Sequence, residues 1–167
     1  MTKILLTGIN SFIGKNFAFR PYFQQAIQGG LGRYYAVGTT SNERGYYFAA
    51  LVSDEEGHSL GVITIKVNVA ETEEVWQSEP IDFLVTDSEG IVFLASQKQW
   101  LFHTIKPLTD LRRQAIHEVK RYLDHSLDAL PNFRQVALAV PYQQAWLQGK
   151  RYLLAKRSME EADWEVY

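Results

Sequence analysis

Two cations, a run of hydroxyls and a group of tyrosines are the side chains of this sequence whose types and spacing could do chemistry together. Arg20 offers a planar fork of N–H donors that matches a carboxylate bidentately. Lys66 offers a compact positive charge on a flexible stem. Between them, Thr39, Thr40 and Ser41 follow Gly38, and a tight loop of this kind turns hydroxyls and backbone N–H groups toward an anion. Tyr22, Tyr46 and Tyr47 each join an apolar ring to a phenol donor, which suits the wall of a small cavity. An anion charged at both ends needs donors at both ends, and one arginine with one lysine supplies them. Plainer uses exist for the same residues. Arg20 could pair with an acidic neighbour, Lys66 could run along the surface, and the Thr-Thr-Ser stretch could be a loop and nothing more. The chemistry indicated is binding rather than catalysis.

The elements that must position these groups follow from periodicity and breakers. Pro21 suits the first turn of a helix, where its missing N–H costs nothing, so a short helix is expected over 22–28, ended by Gly29-Gly30. Strands are expected over 3–7, 33–37 and 45–52. In the last of these, Tyr46, Phe48 and Ala50 share one face and Tyr47 and Ala49 the other. Asp54-Glu55-Glu56-Gly57 reads as a hairpin turn. The returning strand, 60–69, carries Val62, Thr64, Lys66 and Asn68 on one face, opposite Ile63, Ile65 and Val67. The result is an antiparallel meander preceded by a helix, with Lys66 facing inward.

Residues 71–77 suit a short acidic helix, and Ser78-Glu79-Pro80 a linker, so the domain boundary is expected between 77 and 78. The second domain, 78–167, opens with strand, Asp-x-x-Gly turn and strand over 82–96. The most regular helical pattern is expected over 108–130: Leu108, Leu111, Ala115, Val119, Tyr122, Leu123, Leu127 and Leu130 recur at three- and four-residue steps between Pro107 and Pro131. Strands over 133–140, 150–156 and 164–167 close the chain. The fold class is mixed α/β (α+β), two antiparallel-sheet modules with flanking helices.

Several function classes fall away on the sequence. A net charge of −2 with no basic stripe gives no footprint for nucleic acid. Cysteine is absent, which removes disulfides, thiol catalysis and Cys-ligated zinc. No apolar run reaches the ~18 residues a membrane helix needs. The start, KILLTGINSFIG, and the pair Tyr152 and Lys156 are similar to parts of a short-chain dehydrogenase or epimerase. However, Ser11 takes the place of the middle glycine, Pro21 interrupts the expected helix, and no βαβ alternation follows. His117-Glu118 is similar to a phospho-accepting box, without the proline or the glycine-rich ATP lid. His117 and His125 stand eight apart rather than four, so they form no metal pair. Glu55-Glu56 and Glu160-Glu161 are adjacent acids in turns and do not aim at one substrate atom. No catalytic group, cofactor or metal is expected.

Residues 16–23, Asn-Phe-Ala-Phe-Arg-Pro-Tyr-Phe, followed by Gly38-Thr39-Thr40-Ser41, then Arg44-Gly45-Tyr46-Tyr47-Phe48, then Lys66, resemble the ligand-binding part of the C4-dicarboxylate sensor histidine kinases. The resemblance runs on more weakly to the C-terminus. It implies a tandem PAS-like (Cache, or PDC) sensor region with 1–77 as a membrane-distal module, truncated at its N-terminus, and 78–167 as a membrane-proximal one. It implies that Arg20, the Thr39–Ser41 loop and Lys66 contact a succinate-like ligand, with Tyr22, Tyr46 and Tyr47 around it. It further implies an extracytoplasmic (periplasmic) location beside an inner membrane reached only through segments absent from this chain, and a homodimeric receptor. A response regulator would be engaged through an absent kinase domain, the only part to use ATP and Mg. The same fold in a chemoreceptor or another receptor, binding an amino acid or another carboxylate, is the neighbouring expectation.

Overall fold

The computed structural model describes residues 3–7, 17–137 and 143–167. Two compact units are present: Met1–Ala70 with Ala115–Leu123, and Glu71–Gln114 with Asp124–Tyr167. The chain therefore changes unit at residues 70/71 rather than after 77, and a later segment returns to the first unit.

In the first unit, strands β1 (Lys3–Thr7), β2 (Gly32–Val37), β3 (Arg44–Ser53) and β4 (Ser59–Asn68) form one antiparallel sheet in the order β1-β4-β3-β2. Helix α1 (Pro21–Ile27) packs on its inner face. The expected alternation is realised. Tyr47, Ala49, Val62 and Thr64 are buried on the helix side, with Tyr22, Phe23 and Ala26 of α1 above them. Phe48, Ile65 and Val67, on the other face, are each more than a third exposed. Gly29 ends α1 with a φ of 87°, and its N–H bonds to Ala26 O, the left-handed stop that glycine adopts without steric cost.

The second unit holds α2 (Ala70–Gln77, whose first residue belongs to the first unit), β5 (Leu84–Thr86) and β6 (Val92–Ala95). Helix α3 (Asp110–Glu118) is divided between the two units. After it come β7 (Arg134–Ala137), β8 (Gln143–Leu147), β9 (Lys150–Leu154), β10 (Arg157–Met159) and β11 (Trp164–Val166). One sheet runs β10-β11-β5-β6 and a second β7-β8-β9, all antiparallel. Leu84, Val92, Trp100, Leu130 and Leu147 fill the core. Strands β8 and β10 have no counterpart in the sequence reading. The end of the strand expected over 133–140 lies outside the described residues.

The helix expected over 108–130 is the main correction, since α3 is only nine residues long. Thr109 caps its start, accepting the Arg112 N–H at 3.3 Å through Oγ1. It ends at Glu118 because Lys120 turns left-handed, with φ 50°. Lys120 N–H then bonds to His117 O at 2.9 Å and Arg121 N–H to Ile116 O at 3.4 Å, the paired bonds of a Schellman stop with lysine in the place glycine usually takes. Leu123 and Leu127 are left-handed as well. The apolar spacing beyond 118 is thus met by separate burial of Tyr122, Leu127 and Leu130, not by one helical face.

Candidate anion-binding site

Arg20 immediately precedes Pro21, and a residue before proline is pushed out of the helical region. Its backbone is accordingly extended, φ −76° and ψ 133°, while its carbonyl still accepts the first helical bonds from Phe23 and Gln24. The side chain leaves the helix and is buried, 2% exposed. Its Nη1 donates to Lys120 O at 3.0 Å and Val119 O at 3.4 Å, and Nη2 donates to Val37 O at 3.1 Å. The Schellman stop of α3 aims the first two carbonyls. Arg121 fastens the same turn through Nε to Tyr35 O at 3.2 Å, and Val37 N–H to Arg121 O at 2.9 Å. None of the described partners of Arg20 is a carboxylate. Carbonyl dipoles solvate a buried guanidinium without neutralising it, so the positive field remains.

Beside Arg20, Tyr22 stacks on Tyr47 with ring centroids 5.1 Å apart and planes 5° apart. Burial pushes the Tyr22 phenol up to about 12, the neighbouring Tyr47 adds to this, and Arg20 pulls the other way. Burial also raises Tyr47, against the pull of Arg20 and with a further push from Glu43. Both phenols are protonated donors at neutral pH.

Lys66 sits opposite Tyr47 in the β3–β4 register. Its stem lies on the backbone of Gly45: a Cβ there would sit 2.8 Å from Lys66 Cγ and closer still to Cε. Gly45 allows that close approach, and a Cβ at this position would push the Lys66 stem aside. The ammonium donates to Ser41 Oγ at 3.0 Å, Glu43 O at 3.2 Å and Glu43 Oε2 at 3.3 Å. The loop 38–43 is closed on itself by Gly38 N–H to Glu43 O at 2.9 Å and Asn42 N–H to Gly38 O at 2.8 Å.

Of the expected residues, Arg20, Tyr22, Ser41, Tyr47 and Lys66 gather at this end of the first unit's sheet. Thr39 and Thr40 are on the same loop but exposed. Tyr46 points to the opposite sheet face, edge-on to Phe48 with centroids 4.7 Å apart, because strand side chains alternate. Glu43, the acid that the loop offers to the ammonium of an amino-acid ligand, sits on Lys66; two further participants, Gly45 as the bed of Lys66 and Thr64, were not picked out in the sequence as binding residues. Thr64 is buried on the same face, and its hydroxyl has no hydrogen-bond partner among the described residues. A polar residue on the buried face of a strand is the signal that marks Thr64.

Other chemical signals resolve into structural roles. Asp54, Glu56 and His58 bring ligand atoms within 4.8 Å of one another, but they lie on the β3–β4 hairpin, where Asp54 closes the turn on His58 N–H at 2.7 Å and on Nδ1 at 3.1 Å. Tyr152 is in β9 and hydrogen-bonds Asp82, whereas Lys156 pairs with Glu165 at 3.2 Å, so the two do not act as a pair. Most of the nucleotide-fingerprint stretch, with Asn16, lies outside the described residues. His117 is half-buried, with Nδ1 3.0 Å from Leu123 O.

No family model matches the chain. Over 108 residues, 65% of the chain, it is 44% identical to the C4-dicarboxylate transport sensor protein DctB of Pseudomonas aeruginosa. Over 126 residues it is 39% identical to the protein of the same name from Rhizobium meliloti. These stretches are 18% and 20% of the relatives, so the chain spans about a fifth of their length. Its fold matches the sensor domain of the V. cholerae histidine kinase DctB with a TM-score of 0.83 and 31% identity, covering 99% of this chain and 69% of that one. The periplasmic domain of RsbU from Chlamydia trachomatis shares the fold at TM-score 0.71 and 12% identity. With its mixed helix and antiparallel-sheet architecture, the chain belongs to the family of DctB histidine-kinase sensor domains.

Proposed function

We propose that the first unit binds a C4 dicarboxylate such as succinate, fumarate or malate, as the input of a two-component sensor kinase that regulates dicarboxylate uptake. One observation carries the reading: Arg20, buried without a carboxylate among its described partners, and Lys66 flank the stacked, protonated Tyr22 and Tyr47 in one unit. Two cationic donors with phenols between them suit a small anion charged at both ends. The names of the relatives sharing up to 44% of the aligned residues support the same ligand class. On this reading the first unit is the membrane-distal module and the second a membrane-proximal relay, in an extracytoplasmic region working as a homodimer. Catalysis and the response regulator belong to the kinase part of the longer protein. Ligand shifts signalling only by the difference in its affinity for two arrangements.

A second reading, an amino-acid ligand, is favoured by the Glu43 carboxylate beside Lys66, since an ammonium group needs such a partner. A thermal-shift and calorimetric panel of succinate, fumarate, malate, aspartate, acetate and NAD separates the possibilities. At about 100 times its dissociation constant a ligand stabilises by about 2.7 kcal/mol, a shift of several degrees. The dicarboxylate reading expects shifts from succinate, fumarate and malate and none from acetate or NAD. A shift confined to aspartate selects the second reading, and a shift from NAD alone contradicts both.

A further inference from the structure

The lysine that the ligand needs is already engaged by a carboxylate of its own chain. Among the described residues, the three acceptors on Lys66 Nζ come from Ser41 and Glu43. Two of them are built into the loop: Ser41 Oγ also accepts the Glu43 N–H at 3.3 Å, and Glu43 O accepts the Gly38 N–H. The third, the Glu43 carboxylate, is a side-chain group at the loop's end. The two charges differ in exposure. The Lys66 side chain is 12% exposed on its bed of Gly45, and that of Glu43 is 50% exposed. Exchange at this pair therefore moves the glutamate, which has solvent to turn into, and leaves the ammonium in place.

From this geometry we infer that Glu43 is an internal competitor. Its carboxylate takes the place on Lys66 that a ligand carboxylate takes, and ligand enters as the Glu43 side chain turns outward. The inference rests on the dicarboxylate reading above. Its consequence is selectivity by exchange. An anion that reaches Lys66 alone replaces one carboxylate with another and gains little. An anion that also reaches a second donor, Arg20 or a phenol of the tyrosine pair, keeps a surplus. Acetate is then rejected and succinate accepted by the same contact. Glu43 acts by raising the threshold for entry, as a specificity-determining residue.

The test is calorimetric titration of the wild-type chain, Glu43→Gln and Glu43→Ala with succinate and with acetate. Glutamine retains the size and removes the charge, and the half-exposed position leaves folding intact. Succinate is expected to bind up to about fivefold tighter to both variants, and acetate to gain measurable affinity in them alone. Equal or weaker succinate binding by both variants, with wild-type binding intact, overturns the inference and leaves the dicarboxylate reading standing. Absence of succinate binding in all three proteins overturns that reading, and the inference with it.

Discussion

Among the described residues, the fully buried side chains of charged type are Arg20 in the first unit and Glu73 and Asp87 in the second, and the two units satisfy them in opposite ways. Asp87 is met locally: its Oδ1 accepts the N–H groups of Glu89 and Ile91, both at 2.9 Å, inside one turn. Glu73 reaches from α2 to the Ala95 N–H at 3.0 Å. These are acceptors matched to fixed donors. Arg20 is the reverse, a cation solvated by carbonyls, two of them about a hundred residues away in sequence. A cavity of about 280 Å³ in the second unit extends the contrast. Leu84, Trp100, Phe133 and Leu147 line it, and its one charged lining residue is Asp82, which accepts from Ser96 and Gln97. Among the described residues the buried cation thus lies in the first unit, while the buried charges of the second are acids and its cavity has apolar walls. A small anion has a reason to choose between them.

Breaking this contrast should have its largest effect at Arg20. Arg20→Met strands three carbonyls and frees the turn at 119–121, so unfolding by urea should show a loss of about 3 kcal/mol together with loss of succinate binding. Asp87→Ala removes the acceptor of two N–H groups and should cost about 2 kcal/mol, with succinate affinity unchanged if the units divide their roles as proposed. Affinity falling with Asp87→Ala would dissolve the distinction.

The tyrosine pair gives a pH test of the same region. The Tyr22 phenol has its pKa raised in the folded state, from 10.0 to about 12. The stability this represents is fully present below pH 10 and is lost as pH rises through about 12, on the order of 3 kcal/mol for the full shift. Denaturation curves from pH 9 to 12 should show that decline in the wild type and a shallower one in Tyr22→Phe, with Tyr47, Tyr152 and Tyr167, whose phenols burial also pushes up, contributing to what remains. A slope unchanged by Tyr22→Phe would mean that the phenol is not buried as described. The smallest effect is expected at Lys120, the left-handed residue that aims the carbonyls at Arg20. Lys120→Gly relieves that backbone and should stabilise by roughly 0.5–1 kcal/mol, visible as a small rise in Tm without loss of ligand.

Much of the first unit was legible because its signals are local. Pro21 fixes the start of α1, and strict alternation puts Val62, Thr64 and Lys66 on one face of β4 and Tyr46 and Tyr47 on opposite faces of β3, while the register that sets Tyr47 opposite Lys66 comes from the structure. The same alternation rule shows why Tyr46 cannot share that site. The loop residues Thr39 and Thr40 have the right chemistry but are exposed, while the Ser41 hydroxyl accepts from the ammonium, a matter of loop curvature that composition does not carry. Least legible were the partners of Arg20. The periodicity of 108–130 continues through Val119 and Leu123 as if helical, and nothing at Lys120 resembles the glycine that usually stops a helix. Only tertiary contact decides it: Arg121 bonds to Tyr35 and Tyr122 is buried against the same tyrosine, with ring centroids 5.9 Å apart.

The central claim is that Lys66 is held for a ligand rather than for the fold. Its ion pair with Glu43 is partly exposed and contributes no more than about 1 kcal/mol to stability, whereas the contact to a carboxylate of a ligand that is also held at its other end, and so desolvated, contributes roughly 2–5 kcal/mol to binding. The decisive measurement is succinate titration of wild type and Lys66→Met, with Tm recorded for both. The account predicts nearly equal Tm and at least a roughly thirtyfold loss of affinity in the variant. Equal succinate affinity in the two folded proteins would contradict it.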